Sequence, residues 1–284
     1  FEPWRHAYRC VGCKPNGLTS RQPLRCDSVD RSQTGRTGTV RVMVDGDIEI
    51  RTMRSAEEMA MVGTVFQQVW GTTTPIVTVE LLMAVSHAGG YVVGAFEGGH
   101  LVGASLGILA DHHGERALHS HVTGVLPGVQ HHGVGRLMKT HQRAWAAARG
   151  IEWIVWTFDP LVRRNAWFNI EVLEAHVTAY EQNFYGPMTD SINAHDESDR
   201  LVVAWPTADD RPRPAPPPDP VITLVPTPED VVVLRRTDPG AAAEWRQRVR
   251  RDLGGLLDSG GVVTGFTGDG EYEVARPPDP DHEG

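Results

Sequence analysis

The sequence predicts a mixed α/β domain, and three stretches predict it. YVVGAF (91–96) and LVGASLGIL (101–109) are apolar, β-rich runs joined by Glu97-Gly98-Gly99-His100, a hairpin signal. A further strand, Leu118 to Val125, leads through a glycine-bearing loop into a helical stretch from about Val134 to Arg149, which Gly150 stops. IEWIVWTF (151–158) is a continuous apolar run of the kind found in strands buried on both faces, and a helical pattern follows it.

In chain order, residues 1–42 are rich in Arg, Ser, Thr and Gly without period, and read as a disordered extension. Cys10-x-x-Cys13 with His6 and Cys26 is the one alternative there, a four-donor zinc set. Ile48 and Ile50 alternate with polar neighbours as a strand does. Ser55 with Glu58 three residues later forms a capping box that opens a helix to about Trp70. Val79 to Ala88 is a second helix, ended by Gly89-Gly90. DHHGER (111–116) is a polar turn before the Leu118 strand. After the 151–158 strand, Asp159-Pro160 offers an N-cap with proline at the first helical position, predicting a helix to about Glu174. Tyr180 to Arg200 reads as irregular, and LVVAW (201–205) as a strand. DRPRPAPPPDP (210–220) is a proline-rich, semi-rigid connector. The organisation expected is therefore a main domain over 43–205, a linker over 206–220 and a small α+β unit over 221–284. In that unit VVVL (231–234) reads as a strand, Glu244 to Leu257 as a helix, and the stretches near Val262 and Tyr272 as short strands. So small a unit buries little by itself and is expected to dock on the main domain.

Composition narrows the function classes. With 284 residues and 40% hydrophobic content the chain can build a sizeable core. A net charge of -9 with no long basic run argues against nucleic acid as partner. No run approaches the roughly 20 apolar residues of a membrane helix, so no membrane partner and a cytoplasmic location are expected. Oligomeric state is open, a homodimer included. The three cysteines all lie in the first 26 residues and cannot staple the fold. The His-rich run 112–121 lacks a carboxylate at ligand spacing, so no metal is expected.

Chemistry concentrates in Val125-Leu-Pro-Gly-Val-Gln130-His131-His132-Gly133-Val134-Gly135-Arg136, between a strand and a helix. Successive backbone N–H groups running into a helix start concentrate positive potential suited to a pyrophosphate, and glycines allow close approach. This Q-x-x-G-x-G loop, preceded by Val125-x-Pro127, resembles that of the GNAT acetyltransferase superfamily. So does the order of elements over about 47–205. DPLVRRNAWFN, NFYGPMTD and Asp199-Arg200 are similar to a GNAT branch with a carboxy-terminal extension.

The resemblance implies a GNAT acyltransferase fold with splayed parallel strands, here 118–125 and 151–158, and acetyl-coenzyme A as co-substrate between them. It implies that backbone N–H near Val125 polarises the thioester carbonyl. Amides of Gln130, His131, His132, Gly133, Val134, Gly135 and Arg136 hold the pyrophosphate, and Asn165 contacts the coenzyme. Where many members carry a tyrosine late in the next helix to protonate the leaving thiolate, this chain has Asn169 or Ile170, which points to Tyr180 or Tyr185 instead. Counting back from Gln130, His119 falls where the histone-acetylating members carry a catalytic Glu, and its imidazole suits a general base. His121 and Thr123 share its face by period two, with Val125 ending that row. The implied acceptor is a small-molecule or peptide amine. A non-catalytic acyl-coenzyme A binding or sensing module is the competing reading. A Rossmann-type nucleotide site is disfavoured, because the loop follows antiparallel hairpin strands rather than opening a βαβ unit.

Overall fold

The computed structural model describes residues 40–41, 48–129, 133–186 and 196–278. Its elements run β1 (Val40–Arg41), β2 (Ile48–Thr52), α1 (Ala56–Trp70), α2 (Val79–His87), β3 (Tyr91–Glu97), β4 (His100–His112), β5 (Glu115–Val125), α3 (Val134–Ala147), β6 (Trp153–Phe158), α4 (Arg163–Trp167), β7 (His176–Glu181) and β8 (Arg200–Pro206). After the proline-rich segment come β9 (Val221–Pro226), α5 (Val231–Thr237), α6 (Pro239–Val249), α7 (Gly255–Asp258), β10 (Val262–Phe266) and β11 (Glu271–Arg276). The zinc set proposed from Cys10, Cys13, Cys26 and His6 lies outside the described residues. Among those described, no helix is long and apolar enough to cross a membrane.

Eight strands form one sheet in the order β1-β2-β3-β4-β5-β6-β8-β7, and β5–β6 is its parallel pair. The strand, two helices, hairpin, strand, helix, strand, helix order is the one the GNAT resemblance implied. Local chemistry accounts for the first helices. Ser55 Oγ accepts from Glu58 N while the Glu58 carboxylate accepts from the Ser55 N–H, and the Thr78 side chain caps α2. Their apolar stripes, with Met59, Phe66 and Leu82, bury against Met53, Val92 and Leu106 on one face of the sheet. α3 covers the other face, where Val134 and Met138 share a core with Ile50, Tyr91, Leu118 and Trp156.

Several expectations are corrected. Val40–Arg41 pair with Ile50 and Glu49, so the end of the presumed extension serves as an edge strand. Asp159 is not a helix cap: its Oδ1 accepts from Leu161 N at 3.0 Å in a tight turn, and α4 begins at Arg163, continuing as one π-helical turn over Phe168–Val172. Tyr180–Arg200 is not irregular at its start. His176–Glu181 forms an edge strand on β8, its alternation too short to stand out before pairing is known. VVVL is a helix, because Asp230 accepts from Val233 N at 3.0 Å and caps it, overriding β-branched propensity. The helix placed at Glu244 starts at Pro239, capped by Asp238. β9 was missed altogether.

β9, β10 and β11 form a small antiparallel sheet in the order β10-β11-β9. It packs on the main sheet's own core: Val225, Leu253, Phe266 and Val274 cluster with Ala166, Leu173 and Val177. Tyr272 Oη donates to Pro160 O at 2.8 Å, and the Glu171 carboxylate accepts from Phe266 N at 2.8 Å.

Candidate active site

β5 and β6 pair in parallel over only Ala117–His119 and Trp153–Val155. Beyond that point β5 stays bonded to β4 as far as Val125, and β6 stays bonded to β8 as far as Phe158. Each strand is held by its outer neighbour, so the two diverge and leave a fork in the sheet. Leu126 N donates to Val102 O, towards β4, so alternation along the strand aims the Val125 N–H the other way, into the fork.

A β-bulge decides what each side of the fork presents. Leu106 pairs with Val122 but Gly107 pairs with Ser120, leaving His121 as the extra residue. Ser120 therefore faces α3, where Lys139 Nζ donates to its Oγ at 2.9 Å. Thr123 also faces α3, through Ser105 Oγ (2.8 Å) to Gln142. Val125 packs against the same α3-side core. His119, between Leu118 and Ser120, points to the opposite face, with the His121 ring 5.7 Å away. The expected single row of His119, His121, Thr123 and Val125 is thus overturned: the extra residue resets the alternation, placing both histidines on one face and Thr123 and Val125 on the other. Burial, then the charges of His121 and Lys139, lowers the pKa of His119; burial alone lowers that of His121.

Tyr185 comes to the histidine face. Its Oη lies 3.2 Å from Thr157 Oγ1, and Thr157 shares a face of β6 with Val155 by period two. Tyr185 and Gly186 are tied to Ser198, whose Oγ accepts from Tyr185 N at 2.8 Å and donates to Gly186 O at 2.7 Å. Arg200 stacks on the Tyr185 ring at 5.4 Å. Tyr180, the other tyrosine considered, is committed elsewhere. Its Oη donates to Asp199 at 2.7 Å, and burial with that carboxylate pushes its phenol far up.

Of the coenzyme loop, Gln130, His131 and His132 lie outside the described residues. Gly128 (φ 98°) and Gly133 (φ 74°) both adopt left-handed backbone that favours glycine. Among the described residues, Gly133 is the N-cap of α3 without a side-chain cap bond, and a Cβ there or at Gly135 would meet nothing within 4 Å. Among the described residues no side chain caps the first N–H groups of α3, those of Val134, Gly135 and the exposed Arg136. Asn165 sits half-buried in α4, and its side chain makes no hydrogen bond among the described residues. Asn169, at the place of the expected acid, is buried and accepts from Trp156 Nε1 at 3.2 Å. A bulky acid there would displace that bond.

Sequence reading missed Lys139. It is buried on α3, with Nζ on Ser120 Oγ, 3.4 Å from Gln142 Oε1 and 3.8 Å from the centre of the Trp156 ring. A helical wheel could have found it, since Gly135, Lys139, Gln142 and Ala146 lie on one stripe beside Val134 and Met138. In the 112–121 run, His112 edges onto Trp153 at 5.3 Å and the His113 ring lies 4.4 Å from that of His112.

Among the solved structures similar to this chain are the following three. A ribosomal-protein-S5-alanine acetyltransferase from Vibrio fischeri matches with a TM-score of 0.48 and 13% identity, over 61% of this chain and 100% of its own. A GNAT-family protein from Desulfovibrio desulfuricans matches with a TM-score of 0.45 and 20% identity, over 57% of this chain and 99% of its own. The ribosomal-protein-S18-alanine N-acetyltransferase from Escherichia coli matches with a TM-score of 0.45 and 14% identity, over 58% and 99%. No protein-family model and no curated protein matches the sequence.

Proposed function

We propose that this chain is a GNAT-type N-acetyltransferase, moving an acetyl group from acetyl-coenzyme A to an amine by direct attack. The observation that carries this reading is the fork: two parallel strands that part after three paired residues, with an uncapped glycine-led helix start immediately beyond one of them. The fit is chemical as well as geometric. Amides of Gly133, Val134, Gly135 and Arg136 would accept a pyrophosphate, with Gln130, His131 and His132 completing the loop and Asn165 flanking it. The Val125 N–H, aimed into the fork, would hold the thioester carbonyl oxygen and the negative charge that develops on it. His119 would take the proton from the attacking ammonium, with His121 beside it; its lowered pKa keeps it neutral and receptive near pH 7. Tyr185 would line the acceptor side. The bulge suits this division, because it turns the histidines to one face while the coenzyme elements stay on the other.

The acceptor is a primary amine of a small molecule or a peptide. Incubating the protein with acetyl-coenzyme A and a library of amines and amino-terminal peptides, with mass spectrometry of the products, tests the reading. Acetyl-coenzyme A should also raise Tm, since a ligand selective for the folded state stabilises it. Gly133→Val should abolish that shift, because a β-branched residue resists φ near 74° and shields the backbone. A retained shift in a folded variant would remove the loop from the binding site, whereas a shift without any transfer would favour a sensing module.

A further inference from the structure

We propose that Lys139 is the proton donor to the coenzyme A sulfur as it leaves, the part that no tyrosine of the following helix plays here. This rests on the acetyl-transfer reading above. Three observations place it. Lys139 lies against the two residues that floor the fork at its apex, Ser120 one residue past the last parallel pair on β5 and Trp156 one residue past it on β6. It faces the α3 side, with Thr123 and Val125, where the coenzyme would lie. It also has no carboxylate within ion-pairing distance among the described residues, although it is buried.

What surrounds it explains why it can give up a proton. From α3 it meets neutral Gln142, from β5 the Ser120 hydroxyl, from β6 the Trp156 ring. His141, two residues on, turns away to Tyr91 Oη at 2.8 Å. Across the sheet His119 feels its charge. With no carboxylate among the described residues to offset burial, its pKa falls to about 7. An ordinary lysine near 10.4 would hold its proton against a thiolate whose thiol ionises near 8.5; an ammonium near 7 gives it up downhill.

The step balances. The acceptor nitrogen, its proton passed to His119, forms the new C–N bond at the thioester carbonyl. Collapse of the oxyanion breaks the C–S bond, the electron pair departs on sulfur, and the nitrogen sheds its second proton to solvent, leaving the neutral amide. Lys139 Nζ–H supplies the proton that makes the free thiol. Solvent then reprotonates Lys139 while His119 releases its proton, so the protein is unchanged overall.

The test combines leaving-group chemistry with a binding readout. With acetyl-coenzyme A and an amine returned by the library screen, Lys139→Met should lower kcat by about 100-fold. It should also erase the fall in kcat as pH rises through 7 and above. With the acetyl thioester of 4-nitrothiophenol, a leaving group stable as its anion, the loss should shrink to about 2-fold or less. A merely structural role would impair both donors alike, and equal losses overturn the proposal. Lys139→Arg, which keeps the charge but holds its proton, should behave as Lys139→Met does; full activity in it overturns the proposal too. Without turnover, the 15N resonance of Lys139 Nζ should shift on binding coenzyme A and far less on binding desulfo-coenzyme A. Identical responses would place the sulfur elsewhere and leave the acetyl-transfer reading standing, while absence of transfer by the unaltered protein removes both.

Discussion

Two buried charges sit close together in the chain's architecture and are treated in opposite ways. Asp159, just past the end of β6, is almost fully enclosed and is met by Arg246 at 2.8 and 3.0 Å, by Arg235, and by Arg200 at 3.9 Å. Burial alone would raise its pKa, yet Arg246, then Arg235 and Arg200, hold the carboxyl far below the usual range. Lys139, on the helix facing β6, is equally buried and among the described residues meets only neutral partners, so its pKa is pulled down to about 7. The same desolvation acts on both. Where the carboxy-terminal unit attaches, arginines from α5 and α6 compensate it; in the fork no described carboxylate does. A compensated charge fixes structure, while an uncompensated one stays able to exchange its proton near neutral pH, which is what a reaction needs.

The comparison breaks most visibly at Asp159. Asp159→Asn leaves Arg246 and Arg235 facing each other with only Asp196 between them, and should destabilise by about 3–5 kcal/mol. For a chain this size that is a fall in Tm of roughly 6–20 °C, read by calorimetry. A fall of under about 2 °C would mean that the cluster is solvated and the contrast false. The sign with pH follows from the lowered pKa. The stabilisation is present above the unfolded value near 3.9 and is lost as pH falls through the folded value, so the variant should be less acid-sensitive than the parent.

His119 belongs with Lys139, being half-buried without a carboxylate partner among the described residues, and should therefore matter for turnover rather than for folding. His119→Gln should lower kcat by about 100-fold near pH 7 with the acetyl-coenzyme A shift in Tm almost intact. The deficit should narrow as pH rises, because more of the acceptor amine arrives already deprotonated. Full activity at pH 7 would transfer the role to His121 or to water.

The smallest effect is the sharpest in sign. Replacing Lys139 by Met removes a buried charge that no described carboxylate compensates, so Tm at pH 7 should rise by a few degrees. The native state holds its proton less tightly than the unfolded chain, whose lysine titrates near 10.4. The parent therefore gains stability between about pH 7 and 10. In Lys139→Met that gain should vanish and the two melting curves should converge by about pH 10. A destabilised variant would show that Lys139 is a structural pillar after all.

The sequence by itself determined the elements whose signals are local. The capping box at Ser55 and Glu58, the Glu97–His100 hairpin, the glycine-led start of α3 and the buried strand at 153–158 are all in place, because each rests on residues a few positions apart. Gly128 and Gly133 could be singled out for the same reason: a left-handed backbone is written into a single residue. Only the tertiary structure decided the rest. Asp159 reads as a helix cap until arginines 76 and 87 residues away claim it, VVVL reads as a strand until Asp230 and a neighbouring core make it a helix, and β7 exists because β8 is there to pair with it. The bulge at His121 had the widest consequence. Period-two counting assumes an unbroken ladder, and one extra residue, visible only in the register with β4, moved Thr123 and Val125 away from the histidines. Lys139 is the same lesson in electrostatics: its identity is local, but its proton affinity depends on which groups the fold brings to it and which it withholds.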